Sequence, residues 1–275
     1  MSAVETPTYW YAGQLITEST LVLPLQEPAL LYGATVFTTL RVYERRLDHP
    51  WTAWQAHINR TRRSLQAFEW SEPDWARVQQ GATHLAPIYP VLRVTIFPDG
   101  RELIMGRSLP PHLTTLQNQG AIAWVADAAD YSRPFPGHKT GNYLGCWLAL
   151  QAAQRAGAQE AILINHQGHW LETSTGNLWG WAEGQWWTPP LATGILPGVL
   201  RSRLITGLQA QGQTVMTAPW HSSQIDQFTY LAYTNSVLEV IPLKGVLQGT
   251  VSVNYNPDYE KTRQLNAAWQ SATDK

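Results

Sequence analysis

Between residues 161 and 189 the chain writes strand, turn, strand, twice over. AILINHQGHWLE sets apolar and β-branched residues on either side of His166-Gln167-Gly168, and NLWGWAEGQWWTP does the same around Glu183-Gly184. Tight turns of this composition join antiparallel neighbours. A third hairpin signal lies at YWYAGQL, residues 9–15, punctuated by Gly13. Helical spacing is present too. Trp54, Ile58, Arg62 and Leu65 fall in phase within 51–68, with arginines nearby on the expected wet side. Leu144, Trp147, Leu148 and Gln151 fall in phase within 143–156, and Gly157 is placed to end that helix. Hairpins in both halves, mixed with helices, predict an α/β chain of the α+β kind and not a regular doubly wound sheet.

Further strands are expected at TVFTTLRVY (35–43), PVLRVTIF (90–97), AIAWVAD (121–127) and TYLAYTNS (229–236), and a helix at 199–210. The Pro110-Pro111 pair opens a polar stretch. Residues 114–120 are therefore read as a linker between a small N-terminal α/β domain, 1–113, and a larger domain, 121–275.

Composition limits the function classes. In 275 residues the net charge is -1 and charged residues make up 14%, so no electrostatic footprint for nucleic acid is present. Arg60, Arg62 and Arg63 form the one basic cluster, read as a solvated helix face. A single cysteine, Cys146, excludes an internal disulfide and Cys-pair zinc motifs. The first thirteen residues show no basic n-region or apolar h-region, and no window approaches the ~20 apolar residues of a membrane span. The expected location is the cytoplasm. The 14 tryptophans raise the thought of an aromatic binding surface, but they are scattered, as packing residues are.

No phosphate-loop motif, GxGxxG, HExxH or GxSxG occurs. No metal is expected. Five other segments stand out together: HINR (57–60), GHKTGN (137–142), LETSTGN (171–177), GILPGVLR (194–201) and TNSVLEVIP (234–242). Taken singly each has an ordinary explanation. Together they offer a lysine, a carboxylate after an apolar strand, and a glycine-framed helix start whose free N–H groups favour an anion. Those are the groups that pyridoxal phosphate requires. A lysine amine must attack the aldehyde, a carboxylate must keep the pyridine nitrogen protonated, and donors must hold the phosphate.

In these segments and their order the chain resembles the class IV aminotransferases, pyridoxal-phosphate enzymes of fold type IV, over about Tyr11 to Pro242. The resemblance implies a small N-terminal α/β domain, a larger C-terminal domain of barrel-like strands, and a homodimer. By the same resemblance Lys139 is the Schiff-base lysine, Glu172 binds the pyridine nitrogen, and Arg60 binds the phosphate. Ile195 and Leu196 add backbone donors, Ser236 adds a hydroxyl, and Tyr143 lies near the ring oxygen.

The family includes branched-chain and D-amino acid aminotransferases and aminodeoxychorismate lyase. Transaminases carry an acidic residue after the aromatic of the third strand, as in VFEGIR. Here Phe37 is followed by Thr38 and Thr39. FTT and the asparagine of TNSV resemble the lyase branch, a step of folate biosynthesis that makes 4-aminobenzoate from 4-amino-4-deoxychorismate. On that likeness Thr38 assists proton delivery, and Arg101 and Asn235 bind the substrate. Transamination to 2-oxoglutarate stays open as the alternative. GATVF in place of the usual GDGxF is a departure from the family pattern.

Overall fold

β-Branched and aromatic residues at 36–41 pack best on a pleated, half-buried surface, and they form a strand in the computed structural model, which describes residues 7–126, 131–249 and 251–272. Residue 127, the end of the AIAWVAD stretch, and the first six residues of the N-terminal segment lie outside the described residues. The chain divides into two compact units. The first takes the residues up to Leu109 together with His138–Asn142; the second takes Pro110–Gly137 and Tyr143 onward.

The first unit contains β1 (Tyr9–Tyr11), β2 (Gln14–Ile16), α1 (Pro28–Tyr32), β3 (Val36–Arg41), α2 (Trp54–Ala67), α3 (Trp75–Leu85), β4 (Val91–Ile96) and β5 (Glu102–Arg107). Its strands make an antiparallel sheet in the order β2-β1-β5-β4-β3. The hairpin expected at Gly13 is β1–β2, its turn held by Ala12 and Gly13 at positive φ. Ile58 and Leu65 of α2 and Val78 and Leu85 of α3 bury against Leu40, Leu92, Val94 and Ile104 of the sheet. Each such side chain contributes roughly 1.5–3 kcal/mol. The expected phase of α2 holds, but its arginines do not all face water. Arg60 is buried, along with His57, Thr61 and Ser64.

The second unit contains α4 (Leu113–Gln119), β6 (Ala121–Val125), α5 (Leu144–Arg155), β7 (Glu160–Ile164), β8 (Trp170–Thr173), β9 (Asn177–Ala182), β10 (Gln185–Trp187), α6 (Val199–Ala210), β11 (Val215–Met216), α7 (Ser222–Ile225), β12 (Tyr230–Asn235), β13 (Glu239–Gln248), β14 (Val251–Asn254) and α8 (Tyr259–Ser271). The stretch read as a linker is therefore largely helical: α4 spans Leu113–Gln119, with Leu113 buried. Polar composition hid it, because a short helix needs only a narrow apolar stripe.

The strands of this unit form one mixed sheet in the order β11-β10-β9-β12-β13-β6-β7-β8, with β14 paired to β13. The two hairpins expected from the opening stretch are β7–β8 and β9–β10. In α5 the period is right, and the large residues that define it are the exposed ones: Leu144 59%, Trp147 53% and Leu148 37%. Cys146, Ala149 and Ala153 form the buried face, packed with Ala161 and Leu163 of β7. Small side chains let helix and sheet approach closely, so the larger residues go outward.

Candidate active site

In the first unit, Lys139 is fixed by backbone pairing. β3 is an edge strand, and an edge carries a row of unpaired N–H and C=O groups. The segment around Lys139 uses that row. Phe37 N–H donates to the Lys139 carbonyl at 2.8 Å, and Gly141 N–H donates to the Thr35 carbonyl at 2.8 Å. Val36 bridges Thr140. Lys139 Nζ lies 4.8 Å from the centre of the Phe37 ring. Gly141 permits the approach: a Cβ there would lie 2.3 Å from Thr35 Oγ1.

One residue on from Phe37, Thr38 projects from the opposite face of β3. Its Oγ1 accepts from Arg60 Nη2 at 2.8 Å and lies 2.6 Å from His57 Nδ1. All three side chains are buried. The i, i+3 spacing of HINR brings His57 and Arg60 to one face of α2. The structure joins both to Thr38, a link invisible in the sequence.

Arg101 is turned to another use. Its guanidinium donates to Glu27 at 2.6 Å, to Asp99 at 2.6 Å and to the Tyr11 hydroxyl at 2.5 Å. A substrate carboxylate approaching it would face two carboxylates already there. The PDG turn gave the arginine its sequence position, but not these partners.

In the second unit, Glu172 lies near the end of β8. Its Oε1 accepts from Arg133 Nη1 at 2.7 Å. Its Oε2 accepts from the Leu196 N–H at 3.0 Å and from Asn177 Nδ2 at 3.4 Å. Arg133 also donates to the Pro136 carbonyl at 2.6 Å. Burial opposes the Arg133 charge, but Glu172 and its neighbours more than offset that, so its pKa is raised. Arg133 was missed in the sequence. An arginine in an irregular RPFP stretch carries no periodic signal, and its partner is distant in the chain.

GILPGVLR opens α6 as expected, with Gly198 as N-cap and no side chain capping it. The donors differ in detail from the expectation. The Leu196 amide is directed at Glu172, and Gly198 N–H at the Leu196 carbonyl at 2.8 Å. Ile195 is buried beside them. The amides left for an anion are those of the first turn of α6, which no intrahelical carbonyl can reach. Arg201 stands in that turn, its pKa lowered to about 10 by burial, with Glu172 opposing the shift.

Tyr143 donates its hydroxyl to the Ser174 carbonyl at 2.6 Å, and burial pushes its pKa well above 10.0. It is a neutral phenol at any physiological pH. At the end of β12, Asn235 Oδ1 accepts from the N–H groups of Val237 and Leu238 at 3.0 and 2.8 Å. The asparagine thus closes the turn that carries Ser236, and its amide nitrogen is turned to Thr175 Oγ1 at 3.4 Å.

Each unit by itself carries groups of the kind that pyridoxal phosphate requires. The second unit offers a buried carboxylate, a neutral phenol and an uncapped helix start. Its N-cap tolerates no side chain, since a Cβ on Gly198 would lie 2.0 Å from Asn177 Oδ1. The first unit offers a buried guanidinium and a backbone-fixed lysine. Among the described residues no group of His, Cys, Asp and Glu is arranged to hold a metal ion.

Comparison with known proteins agrees with this chemistry. The chain is 26% identical to aminodeoxychorismate lyase of Vibrio harveyi over 88% of its own length and 94% of that protein's. It is 23% identical to the branched-chain-amino-acid aminotransferase of Salmonella typhimurium over 90% of its length and 87% of that protein's. The PLP-bound structure of a hypothetical aminotransferase from Mycobacterium tuberculosis superposes with a TM-score of 0.82 at 18% identity, covering 96% of this chain and 99% of that one. The profile of the amino-transferase class IV family matches residues 35–246. The chain belongs to the class IV aminotransferase family, with the fold type IV architecture and pyridoxal phosphate as its cofactor.

Proposed function

We propose that this protein is a 4-amino-4-deoxychorismate lyase, which releases pyruvate and leaves 4-aminobenzoate. The observation that carries the reading is the neutral hydroxyl of Thr38 against Arg60 Nη2, at 2.8 Å. A carboxylate at position 38 would neutralise that guanidinium and repel a substrate bearing two carboxylates. A threonine does neither. The likeness to the Vibrio harveyi lyase over nearly the whole of both chains supports the same reading.

Bound pyridoxal phosphate supplies an electron sink for the carbon that loses its proton. In the proposed course Lys139 would hold the cofactor through its amine, and the same amine would take the proton from the amine-bearing carbon. Glu172, held by Arg133, would pair with the ring nitrogen and keep it protonated. Arg60, the first turn of α6 and Ser236 would hold the phosphate. The bond between the ring carbon and the enolpyruvyl ether oxygen breaks, its electron pair leaves with the oxygen, and the enol takes a proton to become pyruvate. Thr38 assists that delivery through its hydrogen bonds, and Asn235 offers the substrate a neutral donor. Arg101 has no part in this reading. The enzyme works in the cytoplasm as a homodimer.

A second reading, amino-group transfer from a D- or branched-chain amino acid to 2-oxoglutarate, draws on the branched-chain aminotransferase relatives. One preparation tests both. The lyase converts aminodeoxychorismate to 4-aminobenzoate and leaves the cofactor in its aldehyde form when amino acids are added. Conversion of the cofactor to pyridoxamine phosphate by an amino acid, with no 4-aminobenzoate formed, sinks the lyase and establishes the transaminase.

A further inference from the structure

Glu160 is a buried carboxylate to which the chemistry above gives no role. It opens β7 and is 2% exposed. A carboxylate is rarely so buried without partners. Its Oε1 accepts from the N–H of Ala161 at 2.9 Å and from the Ser174 hydroxyl. Its Oε2 accepts from the Thr175 hydroxyl. Ser174 N–H is bonded in turn to the Ala161 carbonyl at 2.8 Å. The start of β7 is therefore latched to the turn that joins β8 to β9.

That turn reaches several groups of the site. Glu172 stands two residues before Ser174. The Ser174 carbonyl receives the Tyr143 hydroxyl. Thr175 has one hydroxyl hydrogen, and it is directed at Glu160, so its oxygen is left to accept. It accepts from Asn235 Nδ2 at 3.4 Å. This orients the Asn235 amide: nitrogen toward Thr175, oxygen toward the turn that carries Ser236. A single acid thus stands beneath two turns that approach the cofactor's residues from different strands.

We infer that Glu160 is a positioning residue for cofactor binding, acting through Ser174 and Thr175 on the 172–176 and 235–238 turns. Groups at a binding site are effective when a supporting shell holds their rotamers. Glu160 supplies that shell with one side chain in place of two loop-specific devices. The inference rests on the pyridoxal-phosphate cofactor and not on which of the two reactions is catalysed.

The test uses full-length protein, stripped of cofactor and titrated with pyridoxal phosphate by quenching of tryptophan fluorescence. The variants are Glu160→Gln, Thr175→Val and Thr175→Ser, alongside Leu85→Ala as a control that weakens the core of the first unit. Glu160→Gln and Thr175→Val are each expected to raise the Kd about tenfold, the scale of losing a hydrogen bond to a charged group. The double variant should be little worse than the poorer single one, because both break the same chain. Thr175→Ser should restore affinity, and Leu85→Ala should lower the melting temperature with the Kd unchanged. Overturning results are an unchanged Kd in Glu160→Gln, additive losses in the double variant, or weakening in Leu85→Ala as large as in Glu160→Gln. If Glu160→Gln does not fold, the Thr175 pair decides: equal Kd for the valine and serine variants overturns the inference.

Discussion

Phe37 donates its backbone N–H to the carbonyl of Lys139 at 2.8 Å, while the ammonium of Lys139 lies 4.8 Å from the centre of the Phe37 ring. The backbone bond, whatever the charge on Nζ, ties the lysine to the strand that also bears Thr38. A loop lysine thereby gains the positional definition of a sheet residue.

Replacement of Lys139 by alanine should abolish the borohydride-fixed pyridoxyl label and lower turnover by at least about a thousandfold, the combined loss of covalent attachment and of proton transfer. Mass spectrometry of the reduced protein reads the first effect. A label that persists on another lysine would refute the assignment.

Thr38→Val keeps the shape of the side chain and removes the acceptor that Arg60 uses. It should destabilise the protein by roughly 1–3 kcal/mol, as a buried donor loses one of its acceptors. It should also raise the KM for aminodeoxychorismate. Thr38→Ser should recover most of both. Urea denaturation and steady-state assays separate the two effects.

Arg133 and Glu172 bury their charges against each other. Glu172→Gln or Arg133→Met should therefore lower stability by roughly 3–5 kcal/mol, because the remaining charge is left in a poor environment. The double variant should lose less than the sum of the two. Equal, additive losses in chemical denaturation would show that the pair does not act as a unit.

Burial raises the pKa of Glu160 above 4.5, against the donors Ser174, Thr175 and the Ala161 amide. Tyr143 and Tyr233 are the titratable neighbours that feel its charge. The folded chain then binds this proton more tightly than the unfolded chain. The corresponding stability is fully present below pH 4.5 and lost as pH rises through the folded pKa. The difference in unfolding free energy between the protein and Glu160→Gln should show that fall, measured by denaturation from pH 4 upward. A flat difference would contradict the raised pKa.

A Cβ on Gly207 of α6 would lie 1.9 Å from the Ala268 carbonyl of α8. Gly207→Ala should force the helices apart and destabilise by roughly 1–3 kcal/mol, despite alanine's better helix propensity. A melting temperature equal to or above that of the unaltered chain would contradict this close approach.

The sequence by itself determined the features that are local. The hairpin turns at Gly13, Gly168 and Gly184, the helical period of α2 and α5, the helix at 199–210, and the order of five short motifs follow from residues near one another in the chain. They were enough for the fold class, the family and the cofactor. The tertiary structure decided what depends on distant partners. It chose the small face of α5 for burial, because close packing outweighed the size of Leu144 and Trp147. It buried Arg60 beneath Thr38, although neighbouring arginines gave the segment the look of a wet surface. It engaged Arg101 with Glu27 and Asp99, and it supplied Arg133 to Glu172 and Glu160 to the Ser174–Thr175 turn. Periodicity reports which face a residue shares. Which buried charge meets which partner is set by sheet pairing across the fold, and no local pattern encodes it.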